Sequence, residues 1–208
     1  MICSANIQIG NSILRFRQPA GQSSARGEFT FTERTLVDIR SVPCWLLLAD
    51  IEGSTELSRG MSADQLPVVT GRWFSHCKQA IEGNGGSINK YLGDGFFAYW
   101  PATDATLAPL VKALGELKKL QAAQEPRFRV VLHHGQVFMG GAPSMGEESL
   151  SGPEVNFVFR MEKLAGALKQ SCLMSEAAGG KLGASLPTQS LGAHPLSGFE
   201  GVFAFSTF

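Results

Sequence analysis

Gly85-Gly86-Ser87-Ile88-Asn89-Lys90-Tyr91-Leu92-Gly93-Asp94-Gly95-Phe96-Phe97-Ala98-Tyr99 reads as two short strands joined by a tight turn. Gly93 and Gly95 flank Asp94 at the tip. Gly-Asp-Gly between apolar runs signals a hairpin, because glycine supplies the positive φ such turns use. The turn therefore holds a carboxylate, with Lys90 four residues before it. A second aspartate, Asp50, closes the run Trp45-Leu46-Leu47-Leu48-Ala49, whose continuous hydrophobicity fits a strand buried on both faces.

Outward from these two acids the chain alternates helices and strands. Ile51-Glu52-Gly53-Ser54-Thr55 is a glycine turn opening a short helix. Ser62-Ala63-Asp64-Gln65 fits a capping box, followed by Leu66, Val69, Trp73, Cys77 and Ile81 at helical spacing, with Gly83 as the stop. Beyond the hairpin, an amphipathic helix over roughly 104–124 turns Leu107, Leu110, Val111, Leu114 and Leu117 inward. Phe128-Arg129-Val130-Val131-Leu132 and Val137-Phe138-Met139 read as a strand pair separated by His133-His134-Gly135. Pro153 sits near the start of a helix that buries Phe157, Met161, Leu164 and Leu168. A short strand, a short helix and two more strands complete the chain. The order β-α-β-β-α-β with appended strands predicts an α+β, ferredoxin-like, mostly antiparallel sheet with helices on one face.

Composition narrows the function. In 208 residues there are 18 basic and 18 acidic side chains, so no bulk attraction to a polyanion is implied and no nucleic-acid partner is expected. The four cysteines, Cys3, Cys44, Cys77 and Cys172, are far apart with no C-x-x-C pair, which suits reduced thiols rather than disulfides or zinc. The first residues lack a signal peptide's pattern, and no apolar run approaches the ~20 residues of a membrane span. A cytoplasmic chain with no membrane contact is the expectation.

The N-terminal segment differs in character. Residues 1–17 read as a β-hairpin turning at Gly10-Asn11, and 18–40 have the Gly, Ser, Gln and Pro content of a linker, leaving 41–208 as the main domain. The hairpin resembles the last one of a forkhead-associated domain, but the phosphopeptide-binding loops of that family are absent and no function follows.

In the predicted topology the first strand of the main domain lies beside the central hairpin, so Asp50 and Asp94 approach each other. Two fixed carboxylates make a hard-oxygen site suited to Mg²⁺ or Mn²⁺. The Gly53-Ser54-Thr55 turn offers backbone N–H groups to a phosphate at the same place. Each feature alone is commonplace: an aspartate after a strand, an acidic turn, an edge lysine.

Their joint order is more specific. Asp50-x-x-Gly53-Ser54-Thr55, then Lys90-x-x-Gly93-Asp94-Gly95, then Gly152-x-x-Val155-Asn156-x-x-x-Arg160, resembles the catalytic domain of the class III nucleotidyl cyclases over about residues 44–208. The resemblance implies an adenylyl cyclase that converts ATP to 3′,5′-cyclic AMP and pyrophosphate. It implies Asp50, Asp94 and the Ile51 carbonyl as ligands of two Mg²⁺ or Mn²⁺ ions per active site, and Lys90 as the purine reader. Ser149 then stands where the family reads the base with aspartate or threonine. Asn156 and Arg160 match the pair that orients the ribose and stabilises the transition-state phosphate. Because that family takes its metal aspartates from one protomer and the other groups from its partner, a homodimer is implied. His133 and His134 are given no catalytic role, and the side chains of Glu52 and Thr55 read as turn and capping groups.

The chain departs from the family pattern at three places. Val158 and Phe159 replace two small residues, the lysine usual near Gly198 is missing, and Ser149 is an uncommon base reader. Rival readings are a cyclase of another base specificity, pyrimidine or GTP, and a silent cyclase-like dimerisation module. A diguanylate cyclase would need a Gly-Gly-Asp/Glu-Glu-Phe tip, which Gly93-Asp94-Gly95 is not.

Overall fold

The computed structural model describes residues 3–9, 12–18, 39–123, 126–140 and 150–208. The chain separates into two units, Met1–Val37 and Asp38–Phe208. In the first, β1 (Cys3–Ile9) and β2 (Ser12–Gln18) pair antiparallel with Ile9 opposite Ser12. That is the predicted hairpin. The expected linker, 18–40, lies outside the described residues except for positions 18, 39 and 40.

The second unit begins earlier than the apolar run suggested. β3 (Arg40–Ile51) leads through α1 (Ser54–Gly60) and α2 (Gln65–Glu82) to the hairpin β4 (Ser87–Tyr91) and β5 (Gly95–Pro101). Then come α3 (Asp104–Ala122), β6 (Phe128–Met139), the short β7 (Leu150–Ser151), α4 (Pro153–Ala167), β8 (Cys172–Ser175), α5 (Glu176–Leu182), β9 (Gln189–His194) and β10 (Phe203–Thr207). The strand order is β4-β5-β3-β6-β8-β10-β9, with β7 paired to β6. β6 and β8 run parallel, while the remaining pairs are antiparallel.

Strand alternation divides the core between the two faces of this sheet. Trp45, Leu47 and Ala49 of β3 pack with Phe96, Ala98 and Trp100 of β5, and α2, α3 and α5 close that face. Leu46 and Leu48 pack with Phe97, Tyr99 and Val131 on the other face, which α4 covers through Val155, Phe157, Val158, Met161 and Ala165. Each fully buried Leu or Phe contributes roughly 1.5–3 kcal/mol relative to leaving it exposed. The α+β class and the ferredoxin-like β3-α2-β4-β5-α3-β6 core are as expected. The helices, however, occupy both faces. The two of the βαββαβ core share a face with α5, while α4 belongs to the parallel β6-to-β8 crossover and covers the opposite side.

Three local readings are corrected. His133-His134-Gly135 is no turn: β6 runs unbroken through it, paired along its whole length with β3. α2 has Asp64 as its N-cap without a side-chain cap bond, whereas α3 has the capping box, made by Thr103 and Thr106. At the hairpin tip Gly93 has φ +80°, but Gly95 is not in the left-handed region. Gly95 is there for space, as the site makes plain.

Candidate active site

β3 ends between two neighbours. Asp50 pairs with Gly95 of β5 on one side and Arg129 of β6 on the other. The Ile51 N–H donates to the Asp94 carbonyl at 3.0 Å, which ties the end of β3 to the hairpin tip. The two aspartates therefore meet as predicted, because the strand that ends in one lies against the turn that carries the other.

Close packing keeps them there. A Cβ on Gly95 would lie 2.6 Å from the Ala49 carbonyl oxygen and 2.7 Å from Asp50 Oδ1, so any side chain at this position displaces the carboxylate. The tip is folded on itself: the Leu92 N–H donates to the Gly95 carbonyl at 2.8 Å and the Asp94 N–H to the Leu92 carbonyl at 3.1 Å. Gly53 takes φ +62° ahead of α1, and the Ser54 hydroxyl donates to the Asp94 carboxylate. Asp50, Ile51, Gly53, Ser54 and Asp94 are thus brought together. Thr55 follows, exposed on the first turn of α1.

The electrostatics of this cluster favour a cation. Partial burial, first, and then the nearby Asp94 and Glu162 push the Asp50 carboxyl up from 3.8 to about 7, with Arg129 acting in the opposite direction. Two close carboxylates with hard oxygen donors fit a divalent cation, whose charge would relieve their repulsion. Among the described residues no group of three or more His, Cys, Asp or Glu side chains is placed to hold a metal, so a cation at this place would draw on the aspartate pair.

Arg129 and Glu162 escaped the sequence reading. Arg129 Nε lies 3.4 Å from Glu162 Oε1 of α4, yet no hydrogen bond satisfies that buried nitrogen, so the pairing is ionic and misaligned. The one available signal was a charge inside the otherwise apolar run Phe128–Leu132, opposite a strand that ends in aspartate.

Lys90, Asn156 and Arg160 lie on other elements, β4 and α4. Neither Lys90 nor Arg160 is among the charges that shift Asp50. Lys90 lies on β4, the edge strand, directly opposite Phe97, while Ile88 lies opposite Ala98. Asn89 is the extra residue of a bulge, and it turns Lys90 to the face opposite Ile88, the face covered by α4. Tyr91 returns to the α2 side, where it packs edge-on against Phe74 at 5.1 Å.

Asn156 and Arg160 are both exposed on α4, one turn apart, away from the stripe that α4 buries on the sheet. Val158 is fully buried, and Phe159 packs on Phe97 with ring centroids 5.7 Å apart, so the two bulky residues before Arg160 fill the sheet side. Next to Gly198, Phe199 turns into the core against Phe157 at 5.1 Å. Ser149 lies outside the described residues.

His133 sits in the core of the α4 face. Its Nδ1 is 2.8 Å from Ser175 Oγ and its Nε2 2.6 Å from Glu154 Oε2. His134 points the other way, edge-on to Trp45 at 4.9 Å.

No protein-family model matches the chain. Among curated proteins it is similar to the photoactivated adenylate cyclase subunit beta of Euglena gracilis, 27% identical over 176 residues that make up 80% of this chain and 19% of that protein. It is 26% identical over 178 residues to adenylate cyclase 2 of Rhizobium meliloti (strain 1021), covering 78% of this chain and 47% of the relative. The chain therefore spans from about a fifth to about half the length of these relatives.

Among solved structures, the adenylyl cyclase CyaB from P. aeruginosa superposes with a TM-score of 0.69 at 20% identity, covering 82% of this chain and 95% of that one. The guanylyl cyclase Cya2 gives 0.65 at 18%, covering 81% and 92%. The fold is the one these cyclase structures share. The forkhead-associated likeness of the first hairpin finds no support in these matches.

Proposed function

We propose that residues 41–208 are the catalytic domain of an adenylyl cyclase that converts ATP to 3′,5′-cyclic AMP and pyrophosphate in a homodimer. The observation that carries this reading is the aspartate pair. Asp50 and Asp94 are held side by side at the end of β3, at a cost visible in the raised pKa of Asp50, beside a glycine turn that opens a helix. The sequence likeness to adenylate cyclases and the fold shared with cyclase structures support it.

In this reading Asp50, Asp94 and the Ile51 carbonyl hold two Mg²⁺ or Mn²⁺ ions, and Ser54 orients the Asp94 carboxylate by its hydrogen bond. Bound there, divalent cations would lower the pKa of the ribose 3′-hydroxyl and offset triphosphate charge. The N–H groups of Gly53, Ser54 and Thr55 face the phosphates. In the reaction the 3′-oxygen bonds to the α-phosphorus and its proton passes to solvent. The α–β phosphoanhydride bond breaks, and its electron pair leaves with pyrophosphate.

Lys90, Asn156 and Arg160 serve the site of the partner protomer. This accounts for Asn156 and Arg160 facing outward from α4 and for Arg160 not being among the charges that act on Asp50. Lys90 and Ser149 read the base, Asn156 orients the ribose, and Arg160 stabilises charge that develops on the phosphate.

Incubating the protein with ATP, GTP, CTP or UTP and Mn²⁺, then weighing the products by mass spectrometry, tests the reading. Cyclic AMP as the main product supports it. Another cyclic nucleotide would keep the cyclase but change the base, and metal-dependent nucleotide binding without any product would favour the silent module.

A further inference from the structure

The structure contains a partly buried polar chain that the reaction does not use. His133 is 4% exposed, and both of its ring nitrogens are engaged. Glu154 is a carboxylate and accepts only, so the proton lies on Nε2 and is donated to Oε2 across 2.6 Å. Burial lowers the His133 pKa and keeps the ring neutral, so Nδ1 is an acceptor. Ser175 supplies the donor, across 2.8 Å, while its oxygen accepts from the Ala178 N–H at 3.2 Å as the N-cap of α5. Every group in the chain has a partner, and the direction of each hydrogen bond follows from the one before.

The backbone is shaped around this arrangement. A Cβ on Gly135 would lie 2.6 Å from Cγ and 2.8 Å from Oε2 of Glu154, so the glutamate lies flat across a glycine in the middle of β6. The His133 ring also packs on Phe157 at 4.6 Å. Glu154 is the second residue of α4, and Pro153 before it contributes no backbone N–H of its own. Among the described residues, Gly152 has no side-chain cap bond to offer either. Beside the β7–β6 pairing and the buried Val155 and Phe157, Glu154 thus ties the start of α4 to β6 and, through His133, to the β8–α5 junction. Asn156 follows two residues later, and Arg160 one helical turn beyond that.

We infer that Glu154, held by His133 and Ser175, is a positioning residue that fixes Asn156 and Arg160 for the site in which their protomer meets the partner's aspartates. The inference rests on the cyclase reading above. It differs from a purely structural role in one respect: loss of Glu154 damages the same half of the composite site as loss of Asn156, and not the half that holds Asp50.

That distinction can be measured in the full chain with mixed dimers. Glu154→Ala is expected to lower kcat with Mn²⁺–ATP by about tenfold or more, since small misplacements of positioning groups have effects of that size. KM should change little, and Glu154→Gln, whose amide oxygen still accepts from Nε2–H, should recover most of the loss. When Glu154→Ala protomers are exchanged with Asp50→Ala protomers, one site per mixed dimer regains an intact set, and turnover should exceed the sum of the two variants. Exchange with Asn156→Ala protomers should give no such gain.

If Glu154→Ala weakens folding, as its melting temperature would reveal, Ser175→Ala goes through the same exchange. A kcat within twofold of wild type for Glu154→Ala, or complementation by Asn156→Ala in place of Asp50→Ala, overturns the inference while leaving a cyclase. A wild-type protein with no cyclic product from any nucleoside triphosphate overturns the cyclase reading and the inference together.

Discussion

Gly95 and Asp50 face each other across the β3–β5 ladder so closely that a methyl group on Gly95 would lie 2.7 Å from the Asp50 carboxylate. The glycine of the acidic turn thus acts by leaving room for the other acid. Gly95→Ala should lower stability by about 1–3 kcal/mol, as overpacking does, and should abolish turnover by moving Asp50. Thermal unfolding and a cyclic AMP assay on the same sample check both. Gly93→Ala is strained for a different reason, its positive φ, and leaves the space around Asp50 unchanged.

Asp50 gives the protein a distinctive pH response without divalent cations. Its folded pKa of about 7 lies above its ordinary 3.8, so between these values the folded state holds more protons than the unfolded state. Its contribution is favourable at low pH and is lost as pH rises toward and through 7. In EDTA, the melting temperature of Asp50→Asn should exceed that of wild type by a margin that grows from pH 5 to pH 8. Mn²⁺ should raise the melting temperature of wild type only. A margin that shrinks with rising pH would contradict the assigned direction.

The bulge at Asn89 turns Lys90 to the face that α4 covers. On an edge strand and partly exposed, Lys90 is expected to serve the nucleotide and not the fold. Lys90→Ala should leave stability within about 0.5 kcal/mol, as surface changes usually do, while raising KM for ATP and loosening the preference for ATP over GTP. Competition between the two nucleotides in one reaction, resolved by mass, is the direct measurement.

Much of this was readable in the sequence because it follows from period and punctuation. Trp45–Ala49 and Phe96–Tyr99 are apolar at every position, which only strands covered on both faces tolerate, and Asp50 and Gly93-Asp94-Gly95 end them abruptly. Alternation alone, however, misleads at Lys90, since a one-residue bulge reverses the face and leaves no local mark. It also cannot tell which helix covers which face. α4 and α3 have similar amphipathic patterns, and only the parallel β6–β8 crossover sends α4 to the far side. Gly135 looked like a turn because glycine beside two histidines breaks a strand pattern. It is in fact an open seat for Glu154, nineteen residues away. Arg129 was hidden by the apolar run around it, and its importance rests on a neighbour, Asp50, that belongs to another strand.

Removing the Ser54 hydroxyl should be milder than removing either acid. It donates to Asp94 and is itself half-buried, so Ser54→Ala leaves the carboxylate in place with one fewer partner. A hydrogen bond to a charged group contributes about 1.5–3 kcal/mol, so cation affinity should fall by roughly tenfold to a hundredfold. Titrating Mn²⁺ by electron paramagnetic resonance reads this without catalysis. An unchanged affinity would remove Ser54 from the site.

The central claim is that Asp50 and Asp94 together make a nucleotide-cyclising centre. Its most direct measurement is the simultaneous release of cyclic AMP and pyrophosphate from ATP with Mn²⁺, for the wild-type protein and for Asp50→Ala and Asp94→Ala. The account predicts equal amounts of the two products from wild type and neither from either variant. Sustained product from either aspartate variant, or ATP bound and left intact by wild type, would contradict it.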